Sequence, residues 1–171
     1  GYQRGRKVEE SVSLKDFLTY YKKALCLEPV EADGYSPLVL AYIGDAVYEV
    51  MIRTRVINKG SAPVNRLHRR ASALVKASAQ AQMARALEGE LTEKELAVYR
   101  RGRNAKSPTM AKHATMIDYR TATGLEALVG WLFLKEEFER LAELVGRGLA
   151  YLGEIDRAPD RQEGEETHHA V

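Results

Sequence analysis

Apolar residues along the chain recur every three to four positions and show no sustained period-two alternation, so the pattern predicts helices rather than strands. The one hairpin-type dipeptide is Asp33-Gly34, whereas helix punctuation is frequent. Ser13 with Asp16 reads as an N-terminal cap ahead of Phe17, Leu18, Tyr21 and Leu25. Ser36-Pro37 opens a helix that runs to about Ile57 and stops before Gly60. Pro63 starts a long Ala-rich helix with Leu67, Leu74, Met83 and Leu87 on its stripe, closed by Gly89 as a left-handed cap. Thr92 and Glu95 form a capping box for a helix to about Arg101, and residues 102–114 read as a loop. Further helices are expected from about Tyr119 to Leu134 and from about Glu136 to Leu152. The expected fold is all-α, about six helices in a single domain. Its expected parts are an N-terminal segment with the first helix (1–34), a helical domain (35–152) and an acidic, disordered tail (153–171).

At 171 residues the chain is long enough to bury a core without disulfides or a structural metal. Its single cysteine, Cys26, excludes an internal disulfide and fits a reducing, cytosolic compartment; with Leu25 and Leu27 beside it, it is expected to be a small buried hydrophobe. The longest apolar run, Pro37 to Ile52, carries Asp45 and Glu49, which argues against a membrane span. The net charge of +2 conceals a sorting of charges. No acid occurs from Val50 to Leu87, against eight bases, and none occurs from Leu96 to Ile117, against Arg100, Arg101, Arg103, Lys106 and Lys112. Six acids crowd the last eighteen residues. A basic middle of this kind is the footprint of a polyanion binder.

The Pro37–Ile57 segment is apolar nearly all round and is expected to be a central, buried helix, so a carboxylate in it needs compensation. Asp45 follows Gly44 in that segment, and Glu49 lies one turn further on the same face. Glu126 is the corresponding oddity in the apolar stretch from Gly124 to Phe133. Gly44, Gly124 and Gly130 remove side-chain bulk, which lets two helices approach closely. Two carboxylates facing one another from two such helices make an oxygen-only site suited to Mg²⁺. Buried acids are also kept for pairing with Arg or backbone amides, so the residues alone leave both roles open. The four histidines show no metal-ligand spacing, and no phosphate-binding glycine signature is present.

The run Tyr42-Ile43-Gly44-Asp45-Ala46-Val47-Tyr48-Glu49 resembles the signature helix of the ribonuclease III family. The run Thr123 to Gly130 resembles that family's second acidic helix. Arg100 to Ser107, with Tyr119 to Thr123 after it, is similar to the Mini-ribonuclease III branch, which keeps the helical catalytic domain and lacks the double-stranded-RNA-binding domain. The resemblance covers about Tyr35 to Leu152, with only a short acidic tail following. It departs from the wider family at two positions: Ala41 and Thr123 stand where carboxylates are usual.

The resemblance implies an endoribonuclease that hydrolyses double-stranded RNA with Mg²⁺, leaves 5′-phosphate ends and works as a homodimer. Asp45 and Glu126 would be the catalytic and metal-holding residues. Glu49 would be either an auxiliary acid or the partner of a nearby arginine. RNA would be held by Arg100, Arg101, Arg103, Asn104, Lys106, Ser107 and Lys112, with Arg66, His68, Arg69 and Arg70 at the start of the third helix. The implied substrate is precursor 23S ribosomal RNA in a bacterial cytoplasm. A second reading, suggested by Ala41 and Thr123, is a non-catalytic RNA-binding or ribosome-associated protein on the same fold.

Overall fold

The structure is a computed structural model that describes residues 14–106 and 115–156. Those residues form seven α-helices, with short 3₁₀ turns at Ala32–Gly34 and Glu88–Glu90 and no strand among them. In chain order the helices are α1 (Leu14–Ala24), α2 (Pro37–Lys59), α3 (Val64–Val75), α4 (Ala77–Leu87), α5 (Glu93–Asn104), α6 (Met116–Leu134) and α7 (Phe138–Tyr151). Two compact units are present, one through Val30 and one from Glu31 onward. The first contributes α1, an amphipathic helix on which the rings of Phe17 and Tyr21 lie 6.0 Å apart. Its proposed cap, Ser13, lies outside the described residues, as do Ser107, Lys112 and the tail beyond Asp156.

In the second unit the central helix is α6, not α2. Ten residues of α6 are buried, including Leu125, Ala127, Leu128, Val129, Trp131 and Leu132. Helices α2, α4 and α5 all pack on α6, while α3 lies on α2 and α7 on α4 and α6. The expected all-round burial of α2 is corrected: Leu40, Tyr48, Ile52 and Val56 face the core, but Val39, Tyr42, Val50 and Ile57 are exposed. A helix that lies against its neighbours on one side can bury only that side, and composition does not reveal which other helix is enclosed.

Several boundaries follow the expected caps. Ser36 caps α2 with Pro37 at its first position, and Thr92 with Glu95 makes a full capping box on α5. The single long helix expected from Pro63 to Gly89 is instead two. Lys76 takes an extended conformation (ψ 150°) between α3 and α4, and two core side chains hold the break. The Tyr48 hydroxyl donates to the Leu74 carbonyl at 2.7 Å, and the Gln80 amide donates to the Val75 carbonyl at 2.9 Å. These bonds satisfy carbonyls that a continuing helix would have used, which a local sequence pattern cannot announce. Gly89 is likewise not a left-handed cap but part of a 3₁₀ turn.

Two other helix ends do use the left-handed conformation, and with non-glycine residues. Cys26 (φ 52°) ends α1, where the Leu27 amide reaches back to the Lys22 carbonyl. Glu136 (φ 59°) ends α6 through the bond from the Glu137 amide to the Leu132 carbonyl. Both are the two-bond closure that commonly finishes a helix. Cys26 is therefore an exposed cap residue rather than the buried hydrophobe expected of it. Trp131 is core, and its indole N–H donates to Asp33 at 2.8 Å.

Candidate active site

Helices α2 and α6 cross at two glycines. A Cβ added to Gly44 would stand 1.7 Å from the Glu126 carbonyl oxygen, and one added to Gly130 would stand 2.0 Å from that of Leu40. The backbones are thus in direct contact, which brings together Asp45, the residue after Gly44 on α2, and Glu126, one turn before Gly130 on α6. Asp45 stands at the solvent edge and Glu126 is half-buried, so the expected pair of facing carboxylates exists, on a rim rather than between two buried helices.

The two acids act on one another electrostatically. Burial, and then the charge of Asp45, push the Glu126 carboxyl up to about 8. Partial burial, and then the charge of Glu49, raise Asp45. Tyr48, fully buried below, is raised by burial and then by Glu126. Among the described residues no arginine or lysine offsets the rise at Asp45 or Glu126. Two neighbouring carboxylates without a cation is an unfavourable arrangement for structure alone, and it suits a site that takes up positive charge.

Positions 41 and 123 do not complete a larger cluster. Ala41 is buried in the core. The Thr123 hydroxyl donates to the Tyr119 carbonyl at 2.9 Å, so it is turned onto its own helix. Among the described residues no three His, Cys, Asp or Glu side chains converge on one point. Glu49 accepts from the Arg53 Nε at 2.8 Å, an i,i+4 ion pair on α2, and reaches Asp45 as a neighbouring charge.

The expected basic residues divide. Arg66, His68, Arg69 and Arg70 on α3, and Arg100, Arg101, Asn104 and Lys106 on or just after α5, are all exposed. Arg100 to Asn104 lie on the helix and not in a loop: the capping box starts α5 firmly, and Gly102 packs against α6 without ending it. Arg103 is partly engaged by the protein itself. Its guanidinium lies 3.7 Å from the Glu88 carboxylate and 5.5 Å from the centre of the Tyr99 ring. Sequence reasoning missed the exposed apolar row Val39, Tyr42, Val50 and Ile57. Its signal was present, since α2 has more apolar positions than one buried face can use.

The comparisons with known proteins agree with this geometry. The family description "Ribonuclease III domain" matches residues 38–137, which include both acids. The chain is 51% identical to the Mini-ribonuclease 3 of Clostridium tetani over 111 residues, 64% of this chain and 74% of that protein. It is 50% identical to that of Enterococcus faecalis over 121 residues, 70% of this chain and 92% of that one. A crystal structure of a Fusobacterium nucleatum protein superposes with a TM-score of 0.64 at 29% identity, over 71% of this chain and 96% of that chain. The matched family domain and these relatives give one answer: the chain belongs to the ribonuclease III family of endoribonucleases, in its Mini-ribonuclease 3 branch.

Proposed function

We propose that this chain cleaves double-stranded RNA with Mg²⁺ held by Asp45 and Glu126, and that it acts as a homodimer in the maturation of precursor 23S ribosomal RNA in a bacterial cytoplasm. The observation that carries the catalytic part is the Asp45–Glu126 pair itself. Two carboxyl groups meet across a backbone-tight crossing with no cation among the described residues to balance them, and burial together with the Asp45 charge raises Glu126 to about 8. That donor set fits Mg²⁺, which uses one or two carboxylates and keeps several waters. When bound, the ion supplies positive charge for the phosphoryl oxygens and an activated water for hydrolysis to a 5′-phosphate.

The protein's part is to hold and orient. Asp45 and Glu126 provide the negative charge that fixes the ion. Tyr48 fills the space beneath them and ties α2 to the end of α3 through its bond to Leu74. Arg66, Arg69 and Arg70 on α3, with Arg100, Arg101 and Lys106 at the end of α5, offer cations to backbone phosphates, a shape-directed way to grip A-form duplex. One such centre cuts one strand, so cutting both strands calls for two centres related by a two-fold axis. The exposed row Val39, Tyr42, Val50 and Ile57, with Tyr42 82% and Val50 66% accessible, supports a self-complementary contact along α2.

The test is cleavage of a long labelled duplex, in Mg²⁺ and in chelator, by wild type beside Asp45→Asn and Glu126→Gln. Cleavage by wild type in Mg²⁺ alone, with a loss of about a hundredfold or more in each folded variant, is the expected result. Duplex binding without cleavage across a range of RNAs and divalent ions would leave only a binding protein. For the homodimer, sedimentation of Val50→Asp should show a monomer where wild type shows a dimer; an unchanged mass removes this face from the interface.

A further inference from the structure

A second charged region lies away from the acidic pair. A cleft of about 440 Å³ opens between α2, α3 and the turn after α7, lined by Arg55, Lys59, Arg70 and Glu154 over Val56, Ala73 and Leu74. Its walls follow from local structure. Arg55 and Lys59 are one turn apart on α2 and so share a face. Arg70 comes from α3 beside Ala73 and Leu74. Gly153 takes φ 77° after α7, and the Glu154 amide bonds back to the Leu149 carbonyl at 2.9 Å, a closure that turns Glu154 toward α2.

Among the described residues the positive charge there is only partly balanced. Arg55 donates through one terminal nitrogen to the Glu154 backbone carbonyl, which accepts a hydrogen bond but neutralises no charge. The Arg55 Nε is buried with no hydrogen-bond partner among the described residues. The Lys59 ammonium lies 3.9 Å from a Glu154 carboxylate oxygen, at the outer limit of an ion pair. Arg70 is exposed and makes no ion pair among the described residues. Three cations therefore face one carboxylate in a concave site whose volume falls within the range of ligand clefts. A phosphate in the cleft can take hydrogen bonds from several cations at once, here from a half-buried guanidinium, an ammonium and an exposed guanidinium that line one concave wall.

We propose that this cleft is a phosphate-binding site, with Arg55, Lys59 and Arg70 as its cations. It is separate from the acidic pair: Arg55 is ten residues beyond Asp45 on α2, about 15 Å along the helix and about 80° around it. Its existence does not depend on the roles of Asp45 and Glu126. The phosphate is either one of the RNA backbone, held at a distance from the scissile bond, or a free phosphate group, and one experiment separates the two sources.

The probes are inorganic phosphate, titrated at constant ionic strength while the thermal midpoint is followed, and a labelled RNA duplex, bound in chelator so that nothing is cut. Wild type is compared with Arg70→Gln, Lys59→Gln and Arg55→Gln. Arg70→Gln is the decisive variant, because it removes an exposed side chain with no ion pair and should leave the fold intact. The expected result is a phosphate-dependent rise in the wild-type midpoint that Arg70→Gln and Lys59→Gln diminish. Duplex affinity is expected to fall about tenfold per variant, and the salt dependence to lose a slope of about one. A fall in duplex affinity in Lys59→Gln as well as in Arg70→Gln, with or without the phosphate effect, assigns the cleft to the RNA backbone; a fall in Arg70→Gln alone, with no phosphate effect, leaves Arg70 as an α3 contact and overturns the proposal. A phosphate effect lost in the variants at unchanged duplex affinity assigns it to free phosphate. Unchanged duplex affinity, with a midpoint that phosphate leaves alone or moves equally in wild type and Arg70→Gln, overturns the proposal. The same measurements on Asp45→Asn keep this outcome distinguishable from a failure of the nuclease reading.

Discussion

Glu126 and Glu95 are the same residue type, both in helices and both largely withdrawn from solvent, yet their surroundings push them in opposite directions. Burial raises both. At Glu95 that effect is outweighed by hydrogen bonds from Arg140 and from the Thr92 backbone and by the Arg140 charge, so its carboxyl sits below the usual range. Arg140 donates to both Glu95 oxygens, at 2.9 and 2.8 Å, and also to the Glu90 carbonyl at 2.9 Å. Glu90 meets Arg147 and the Tyr151 hydroxyl in turn, joining the start of α5 to α7. At Glu126 the charge of another carboxylate adds to burial, and no cation among the described residues offsets it. The first region uses acids to close a structure. The second keeps acids unsatisfied, and that difference singles out the candidate site more sharply than burial does.

The largest expected effect separates the two acids by activity. Glu126→Gln should lower duplex cleavage by about a hundredfold or more, whereas Glu95→Gln should change cleavage per folded molecule by no more than about twofold, because Glu95 lies in the α5–α7 network. A comparable loss in both, measured on protein of equal helicity, would erase the distinction. Next in size is Gly44→Ala. Its Cβ would meet backbone at 1.7 Å, which no rotamer relieves, so α2 and α6 must separate. A stability loss of about 3 kcal/mol or more, together with lost cleavage, should follow in denaturant unfolding and duplex assays; a neutral result would mean that the crossing is looser than described.

Stability should then divide the acids in the other sense. Glu95→Gln leaves Arg140 without its main partner and should cost about 2 kcal/mol in urea unfolding. Glu126→Gln relieves repulsion with Asp45 and should be neutral or stabilising in chelator; a large loss would show that Glu126 has a structural partner. The last effect is on pH dependence. The depressed Glu95 carboxyl contributes stability that is present above its unfolded value near 4.5 and lost as pH falls through the folded value. Glu126 works in reverse: between about 4.5 and 8 the folded state binds the extra proton, so metal-free stability falls as pH rises across that window. Thermal midpoints in chelator should therefore flatten at acid pH in Glu95→Gln and near neutrality in Glu126→Gln. A wild-type slope retained in both variants would assign the pH dependence to other groups.

Much was legible from residues alone because it is local. The capping signals at Ser36 and Thr92 require only a few neighbouring residues, and the same holds for the all-α pattern. The two acids were visible as exceptions in apolar runs, and Gly44 and Gly130 as missing bulk. What the pattern misjudged depends on distant partners. The break at Lys76 is held by Tyr48 from another helix. The left-handed ends at Cys26 and Glu136 carry no glycine to announce them. Arg103 reads as a free base until Glu88 is seen beside it. The Arg55 cleft needs a turn ninety-nine residues later to form its wall.

By itself, the sequence determined which segments are helical and which residues carry unusual chemistry, since propensity, capping and periodicity act within one or two turns of chain. Only the tertiary structure decided that α6 rather than α2 is enclosed, that Asp45 and Glu126 meet on a rim while Glu95 is neutralised, and that an apolar row on α2 is left exposed. The reason is physical: burial and charge balance are properties of neighbours in space, and those neighbours come from helices far apart in the chain.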